Sequence, residues 1–402
     1  MNSSGRQQQA SLANAHGLQN REVITLSAYF FLYFGAISFS VAFTPLFLGD
    51  SGFSLSQIAV LSAVAAVSGA LTQSLLGHAS DALGSRKVLT AVSCLSLGVS
   101  YLFYPLAHAF WQFVPLYIWG GMSYLGGFTL PQAIISDWTS AAGSTARGFA
   151  ATRVWGTVGF IAGLLTVTAS PDIAARGKFF YWIAALYCAS SLPILVLREP
   201  AVEKTGQRVL KGALKVLASH RAYIFLLCYT VFRLCESGVM AYLGLYLKGM
   251  GAGARTVAAA YWINAAAELP VVLLVGALCD RIGRKPLLLV AFAVWPVRLY
   301  LYSLISAPSS VYYIQLLHGL TYGIMLVASV AYMSDVAPPD LRATAQALLS
   351  VGSAVSMAAG PLLVGPMGDA MGLAVTFRVM AVVMVGALCV FAALVREPRL
   401  SR

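Results

Sequence analysis

One loop sequence occurs twice in this chain of 402 residues. The segments Gly77–Lys87 and Gly276–Lys285 both contain the pattern G-x-x-x-D-x-x-G followed by an Arg-Lys pair, and their first glycines are 199 residues apart. Each copy follows one long apolar run and precedes another. A chain with such a loop at half-chain spacing is constrained to fold as two similar halves.

Other sequence echoes support an internal repeat in parallel orientation. Ser136-Asp137 returns as Ser334-Asp335, and Arg198-Glu199-Pro200 returns as Arg396-Glu397-Pro398, both at a spacing of 198. Several echoes in the same order indicate duplication rather than chance. Two similar halves of this kind are typical of membrane transporters.

The composition predicts a membrane protein. The chain is 59% hydrophobic and only 10% charged, against about 25% charged residues in a soluble domain. Apolar runs of about 20 residues recur, each long enough to cross a bilayer core of about 30 Å. Backbone groups in lipid must be hydrogen-bonded within the segment, so the runs are predicted to be helices.

We therefore predict an all-α membrane protein with twelve transmembrane helices in two six-helix repeats. The first six spans are predicted at about 23–49, 56–77, 87–108, 111–138, 147–170 and 178–197. The second six are predicted at about 221–248, 255–276, 286–306, 310–335, 342–366 and 374–395.

The remaining segments divide the chain. Residues 1–22 are predicted to be a disordered cytoplasmic tail, 23–197 and 222–395 the two bundles, and 396–402 a second tail. The basic segment 198–221 is the predicted cytoplasmic linker, and its spaced valines and leucines suggest a short amphipathic surface helix.

The basic residues predict the orientation. Eighteen of the 26 Lys and Arg residues lie in the tails or in the loops on one side, and only four lie in the opposite loops. The positive-inside rule then places both termini in the cytoplasm. We therefore expect a multi-pass protein of the cell membrane. More specifically, we expect the bacterial inner membrane.

A few ionisable residues lie deep inside the predicted spans, where an unpaired charge is costly and commonly functional. They are Arg153, Arg233, Glu236, Glu268, Arg298 and His318. At about 1.5 Å of rise per residue, Glu268, Arg298 and His318 lie at successive depths on three spans and could form a polar ladder.

A pairing scheme follows from these positions. Arg233 and Glu236 are three residues apart on one helix and can pair, and Glu268 is expected to pair with Arg298. This scheme assigns no acid to Arg153, which suits an anionic substrate. Trp155 and Phe160 are candidates to flank a ring of that substrate. The alternative for all these residues is structural pairing or packing.

The duplicated loop resembles the signature of the major facilitator superfamily, and the resemblance covers residues 23–397. It implies that the loops and nearby charges form a cytoplasmic gate. The alternative is that they cap helices and set topology. The candidate gate residues are Gly77, Asp81, Gly84, Arg86, Lys87, Asp137, Arg147, Gly276, Asp280, Gly283, Arg284, Lys285, Asp335 and Arg342.

Within that superfamily, several segments resemble the phenylpropionate permease branch, which is related to lactose permease. They are Glu268-Leu-Pro270, Val297-Arg298-Leu299, 317–323, 342–346 and 153–160. The resemblance implies that Glu268, Arg298 and His318 take part in proton coupling, with Glu236 as a second carboxylate. It also implies that Arg153 contacts the substrate. Our other candidate substrate-binding residues are Arg233, Trp155 and Phe160.

This chain departs from lactose permease at two points. Thr321 stands where that protein has a second acid after the histidine, and the fourth span has no acid at the sugar-binding depth. A disaccharide substrate is therefore disfavoured.

Several function classes lack their motifs. We find no phosphate-binding loop, nucleophile elbow or metal-ligand motif, so we predict no enzyme activity, no cofactor and no metal site. A nucleic-acid partner is not expected, because no basic domain stands outside the spans.

The leading hypothesis is proton-coupled uptake of a small organic acid by alternating access. A narrower version of this hypothesis is that the acid is aromatic. The alternatives are an efflux antiporter for drugs or metabolites and a sugar or nucleoside proton symporter; a non-transporting scaffold is least favoured. The expected partners are the lipid bilayer, the substrate and protons, and the chain is expected to be a monomer.

Overall fold

A computed structural model describes the backbone of residues 3–141, 145–197 and 209–397. The side chains of 3–20, 74, 77, 78, 81, 82, 136–141, 145–151 and 209–211 lie outside this description. Within the described residues every regular element is a helix, as the sequence predicts.

Fourteen α-helices follow one another in the described chain. They are α1 Ser3–Asp50, α2 Leu55–Leu83, α3 Arg86–Leu102, α4 Phe110–Ala141, α5 Thr145–Ala169, α6 Phe179–Val196, α7 Val209–Leu217, α8 His220–Gly249, α9 Ala254–Ile282, α10 Arg284–Tyr302, α11 Val311–Gln315, α12 Ile324–Val336, α13 Arg342–Met371 and α14 Leu373–Leu394.

Eleven helical segments in the described part of the chain are long and apolar enough to cross a membrane. They correspond to eleven of the twelve predicted spans. The other predicted span, 111–138, coincides with α4, a helix of 32 residues that falls outside the eleven.

Two predicted segments differ in detail. Helix α1 begins at Ser3, inside the segment for which the sequence predicted a disordered tail. Its backbone continues without a break into the first span, so it extends a helix that is already nucleated. The short helix α7 lies in the predicted linker, and the rest of that linker up to residue 208 lies outside the described residues.

The internal repeat is visible in the backbone. A glycine with positive φ lies just before the third helix of each repeat. These glycines are Gly84, with φ of +63°, and Gly283, with φ of +95°. Only glycine adopts such angles without strain. Gly283 joins α9 directly to α10, and Ser85 caps α3 by accepting a hydrogen bond from the Val88 amide.

Contacts divide the chain into two compact units. The first unit comprises Met1–Ser40, Val67–Gly163 and Gly177–Lys204; the second comprises Val41–Ala66, Leu164–Arg176 and Thr205–Arg402. The second unit thus contains the connection between α1 and α2 as well as helices α7 to α14. The six-helix bundles 23–197 and 222–395 stay a prediction from the sequence repeat.

Small residues bring helices close together within each unit. In the second unit α8 packs along α13, where a Cβ on Gly238 would lie 2.7 Å from the Gly360 carbonyl oxygen. In the first unit a Cβ on Gly159 would lie 2.0 Å from the Phe31 carbonyl oxygen. Such contacts between small residues are how helices associate in membranes.

The tenth predicted span contains a local change of helical type. Helix α11 ends at Gln315, a π-helical turn follows at Gly319–Gly323, and α12 continues from Ile324. A π-helical turn is often found at a functional site. Here it directly follows His318, one of the ladder residues.

Candidate transport site

Arg298 on α10 is the centre of a polar network in the second unit. Its side chain is fully buried. The two terminal nitrogens find hydrogen-bond partners inside the protein, whereas Nε has none among the described residues. Nη2 donates to Asn264 Oδ1 at 2.8 Å and to Gln315 Oε1. Nη1 lies 2.8 Å from His318 Nδ1 and donates to Thr321 Oγ1 at 3.1 Å. None of these four partners is a carboxylate.

Two aromatic rings of α10 complete the surroundings of this guanidinium. Its central carbon lies 5.0 Å from the Trp295 ring centroid and 5.5 Å from that of Tyr302. Tyr302 also donates from its hydroxyl to Gln315 Oε1 at 2.9 Å. Arg298 is therefore held on several sides by side chains from three helical segments.

His318 lies between Arg298 and Glu268. Its Nδ1 faces Arg298, and its Nε2 lies 3.8 Å from Glu268 Oε2 on α9. The structure thus brings the three ladder residues together. The direct contact expected between Glu268 and Arg298 is replaced here by a connection through the imidazole, because the π-helical turn carries His318 into the space between α9 and α10.

Close backbone packing produces this arrangement. A Cβ on Gly319 would lie 2.3 Å from the Ala267 carbonyl oxygen and 2.6 Å from Val271 Cγ2. Only a glycine therefore lets the π-helical turn lie so near α9. This contact places His318 beside Glu268, the residue that follows Ala267.

Arg233 and Glu236 on α8 form the predicted ion pair. The guanidinium also lies over the ring of Tyr322, 4.9 Å from its centroid. Tyr322 in turn stacks on the His318 imidazole, with centroids 5.2 Å apart and an interplanar angle of 16°. The ion pair on α8 is thus connected to the His318 and Glu268 pair through one aromatic ring.

Arg153 lies in the first unit, on α5. Its guanidinium carbon is 4.1 Å from the centroid of the Phe34 ring on α1, a cation–π arrangement. A Cβ on Gly156 would lie 2.8 Å from Arg153 Nη1 and 3.0 Å from Phe34 Cδ2. The glycine one turn later therefore leaves room for this stack.

The two aromatic candidates on α5 differ in exposure. Trp155 is 47% exposed, and Phe160 is half-buried. The structure assigns neither of them a ligand, so their role in substrate binding stays a prediction.

The second copy of the duplicated loop carries a charge network. Arg284 contacts Asp280 at 3.2 Å and Asp335 at 2.9 Å, and its Nη1 donates to the Cys279 carbonyl at 2.7 Å. Glu397 accepts hydrogen bonds from the backbone amides of Arg284 and Lys285, both at 2.7 Å. A carboxylate at the start of α10 is favourable, because the amides there are otherwise unpaired.

Other candidates in this copy have simpler surroundings. Lys285 Nζ donates to the Ala392 carbonyl at 3.0 Å. Gly276 is helical, with open space where a Cβ would be. Arg342 is exposed at the start of α13, and Asp335 contacts Arg284.

The first copy is described in part. Lys87 Nζ donates to the Leu197 carbonyl at 3.0 Å, which parallels Lys285 in the second copy. Arg86 begins α3, and Gly84 forms the turn before it. The side chains of Gly77, Asp81, Asp137 and Arg147 lie outside the described residues.

Several residues in these networks were missed from the sequence. Asn264 lies one turn before Glu268, and Gln315 lies three residues before His318, so helical spacing could have indicated both. Tyr322 stands four residues after His318, and Glu397 belongs to the repeated Arg-Glu-Pro echo. The sequence interpretation used that echo only as evidence of duplication.

The fold and these buried charges define a class of protein. An all-helical membrane chain with an internal repeat and a polar network inside its spans is a membrane transporter. More specifically, the chain matches the model of the MFS_1 like family over residues 23–379, and it belongs to that family.

Individual transporters of known sequence or structure are also similar to this chain. The putative nucleoside transporter YegT of Escherichia coli (strain K12) is 25% identical over 329 residues, which cover 77% of this chain and 76% of that protein. The maltose permease of Geobacillus stearothermophilus is 28% identical over 206 residues, 50% of this chain and 51% of the permease. A crystal structure of a mutant of the nucleoside transporter NupG matches with a TM-score of 0.83 at 16% identity, covering 93% of this chain and all of that one.

These comparisons confirm the major facilitator fold, the membrane location with several spans, and a transporter rather than an enzyme. The narrower assignment to the phenylpropionate and lactose permease branch stays a prediction. So do the bacterial inner membrane, the cytoplasmic termini, the coupling ion and the monomeric state.

Proposed function

We propose that this protein is a proton-coupled symporter that takes up a neutral, ring-containing polar solute of the nucleoside class. The observation that carries the proposal is the charge balance of the network in the second unit. Its two arginines, Arg233 and Arg298, are matched by two glutamates, Glu236 and Glu268. A balanced set of buried charges favours a solute that brings no charge of its own.

Proton coupling is supported by the position of Glu268. This carboxylate lies within a membrane-spanning helix beside His318, with 17% of its side chain exposed. A carboxylate of this kind can gain and lose a proton as access alternates between the two sides of the membrane. The names of YegT and NupG, both described as nucleoside transporters, support the solute class.

A small organic acid is the second candidate. It is favoured by Arg153, whose guanidinium lies over Phe34 in the first unit and could bind a carboxylate in the geometry typical of arginine. Membership of the phenylpropionate permease branch would favour the same class of substrate, and within that class an aromatic acid.

The test is uptake into proteoliposomes that contain the purified protein. An inward proton gradient is imposed, and accumulation of radiolabelled uridine, maltose and phenylpropionate is compared with and without a protonophore. Uridine accumulation that the protonophore abolishes supports the proposal. Accumulation of phenylpropionate alone supports the acid symporter, and solute movement that raises no internal concentration contradicts proton coupling.

A further inference from the structure

The contact between Arg298 and His318 determines which imidazole nitrogen carries a proton. Arg298 Nη1 lies 2.8 Å from His318 Nδ1. A guanidinium has donors and no acceptor, so the arginine donates and Nδ1 accepts. Nδ1 therefore bears no hydrogen in this structure.

The other nitrogen must then carry the hydrogen. A neutral imidazole has one N–H, and an imidazolium has two. Since Nδ1 is an acceptor, His318 is the neutral tautomer with its hydrogen on Nε2. That N–H faces Glu268 Oε2, which lies 3.8 Å away.

The surrounding charges favour this state. Arg298 faces His318 from α10, and Arg233 on α8 approaches it through the ring of Tyr322. Glu268 on α9 is the acid that faces it, while Glu236 contacts Arg233. The side chain of His318 is itself 5% exposed. A second proton on this imidazole would break the bond with Arg298 and place two cations in contact.

We propose that His318 is a fixed, neutral imidazole whose Nε2–H faces Glu268, and that Glu268 is the group that gains and loses the coupling proton. His318 is then a positioning residue, held by Arg298, and it does not itself carry the transported proton. The tautomer assignment stands on the contact with Arg298 alone. The role of Glu268 rests on the proton coupling proposed above.

The proton balance of this step is simple. The proton adds to a carboxylate oxygen of Glu268 from one side of the membrane and leaves that oxygen toward the other side, while the Nε2–H bond of His318 stays intact. Ionised Glu268 attracts this N–H, and protonated Glu268 attracts it less. Protonation thus weakens the link between α9 and the π-helical turn, which lets the two move apart.

Substitutions at His318 separate the two roles. An asparagine amide reaches the position of Nδ1, so His318→Asn retains an acceptor for Arg298. A glutamine amide reaches the position of Nε2, so His318→Gln retains a donor for Glu268. Neither side chain can be protonated. Uptake of uridine into proteoliposomes is measured for both variants and for Glu268→Gln between pH 5 and 8, where an unperturbed imidazole would titrate.

We expect both His318 variants to transport more slowly but to keep the pH dependence of the wild type. Glu268→Gln is expected to lose it and to retain exchange of uridine across the membrane. Loss of pH dependence in both His318 variants, with its retention in Glu268→Gln, would overturn the assignment of roles.

A second measurement needs no substrate. The full-length protein is labelled with ¹⁵N in its histidine rings, and the His318 signals are identified as those missing from whichever His318 variant folds. We expect Nδ1 to show the chemical shift of an unprotonated acceptor and Nε2 that of an N–H, unchanged from pH 5 to 8. Two protonated nitrogens within this range would refute the tautomer assignment, whatever the transport assay shows.

Discussion

Replacement of Gly319 by alanine tests whether the close approach of the π-helical turn to α9 sets up the site. The added Cβ would lie 2.3 Å from the Ala267 carbonyl oxygen and 2.6 Å from Val271 Cγ2. Carbon and oxygen atoms are in ordinary contact at about 3.5 Å. The turn and α9 must therefore separate by about 1 Å, since the nearest obstacle is backbone and cannot rotate away.

The expected cost is that of overpacking a well-packed interior, about 1–3 kcal/mol. Alanine also favours a helix over glycine by about 0.5–1 kcal/mol, and this gain would conceal part of the cost. Gly386 on α14 provides a matched control, because nothing lies within 4 Å of the Cβ position there. The difference between Gly319→Ala and Gly386→Ala then isolates the overpacking.

The measurement is thermal unfolding of both purified variants, together with uridine uptake at several pH values. We expect Gly319→Ala to unfold at a lower temperature than the control. Its uptake should also be slower but keep the pH dependence of the wild type, because a shift of about 1 Å moves the positioning residue His318 away from Glu268, now 3.8 Å distant. If both variants unfold and transport alike, the close approach does not create the site, and the reasoning is refuted.

Two further substitutions test the acids that cap helices in the second unit. Glu397→Gln should lower the free energy of unfolding by about 1 kcal/mol, since one of the two amides at the start of α10 loses its acceptor and the other keeps only a neutral one. An unchanged unfolding temperature would count against the cap. Asp369 accepts from the amides of Leu55 and Ser56 at 3.0 and 2.8 Å and from the Ser56 hydroxyl at 2.5 Å. Asp369→Asn should increase the reactivity of a cysteine introduced at Ser54 toward a polar maleimide, and equal reactivity with and without Asp369 would show that the cap does not hold the start of α2.

The sequence predicted the fold well because the fold depends on periodic features. Continuous apolar runs indicate helices in lipid, and the repeated loop indicates two similar halves. The structure shows the repeat at the residue level, since Gly84 and Gly283 have positive φ at matching places.

The site was predicted less completely, for a physical reason. Charged residues inside a span stand out in the sequence, so Glu268, Arg298 and His318 were identified as a group. Neutral acceptors such as Asn264 and Gln315 carry no comparable signal, because the same residue types occur wherever a helix faces polar surroundings. The expected pairing of Arg298 with a carboxylate followed from charge alone. In the structure the two terminal nitrogens of this arginine instead contact neutral oxygens and an imidazole nitrogen.

The choice between a neutral solute and an acid depends on what Arg153 does in the first unit. If it binds a carboxylate, its charge is essential, and Arg153→Lys should retain part of the uptake while Arg153→Gln abolishes it. If Arg153 instead shapes the site by stacking on Phe34, 4.1 Å from the ring centroid, its planar guanidinium is essential. The lysine variant should then transport no better than the glutamine variant, because lysine cannot replace arginine at a stacked site. Uptake of uridine and of phenylpropionate by the two variants distinguishes these roles. For a nucleoside transporter we expect Lys and Gln to impair uridine uptake equally. A lysine variant that restores uptake of phenylpropionate would instead indicate recognition of an anion.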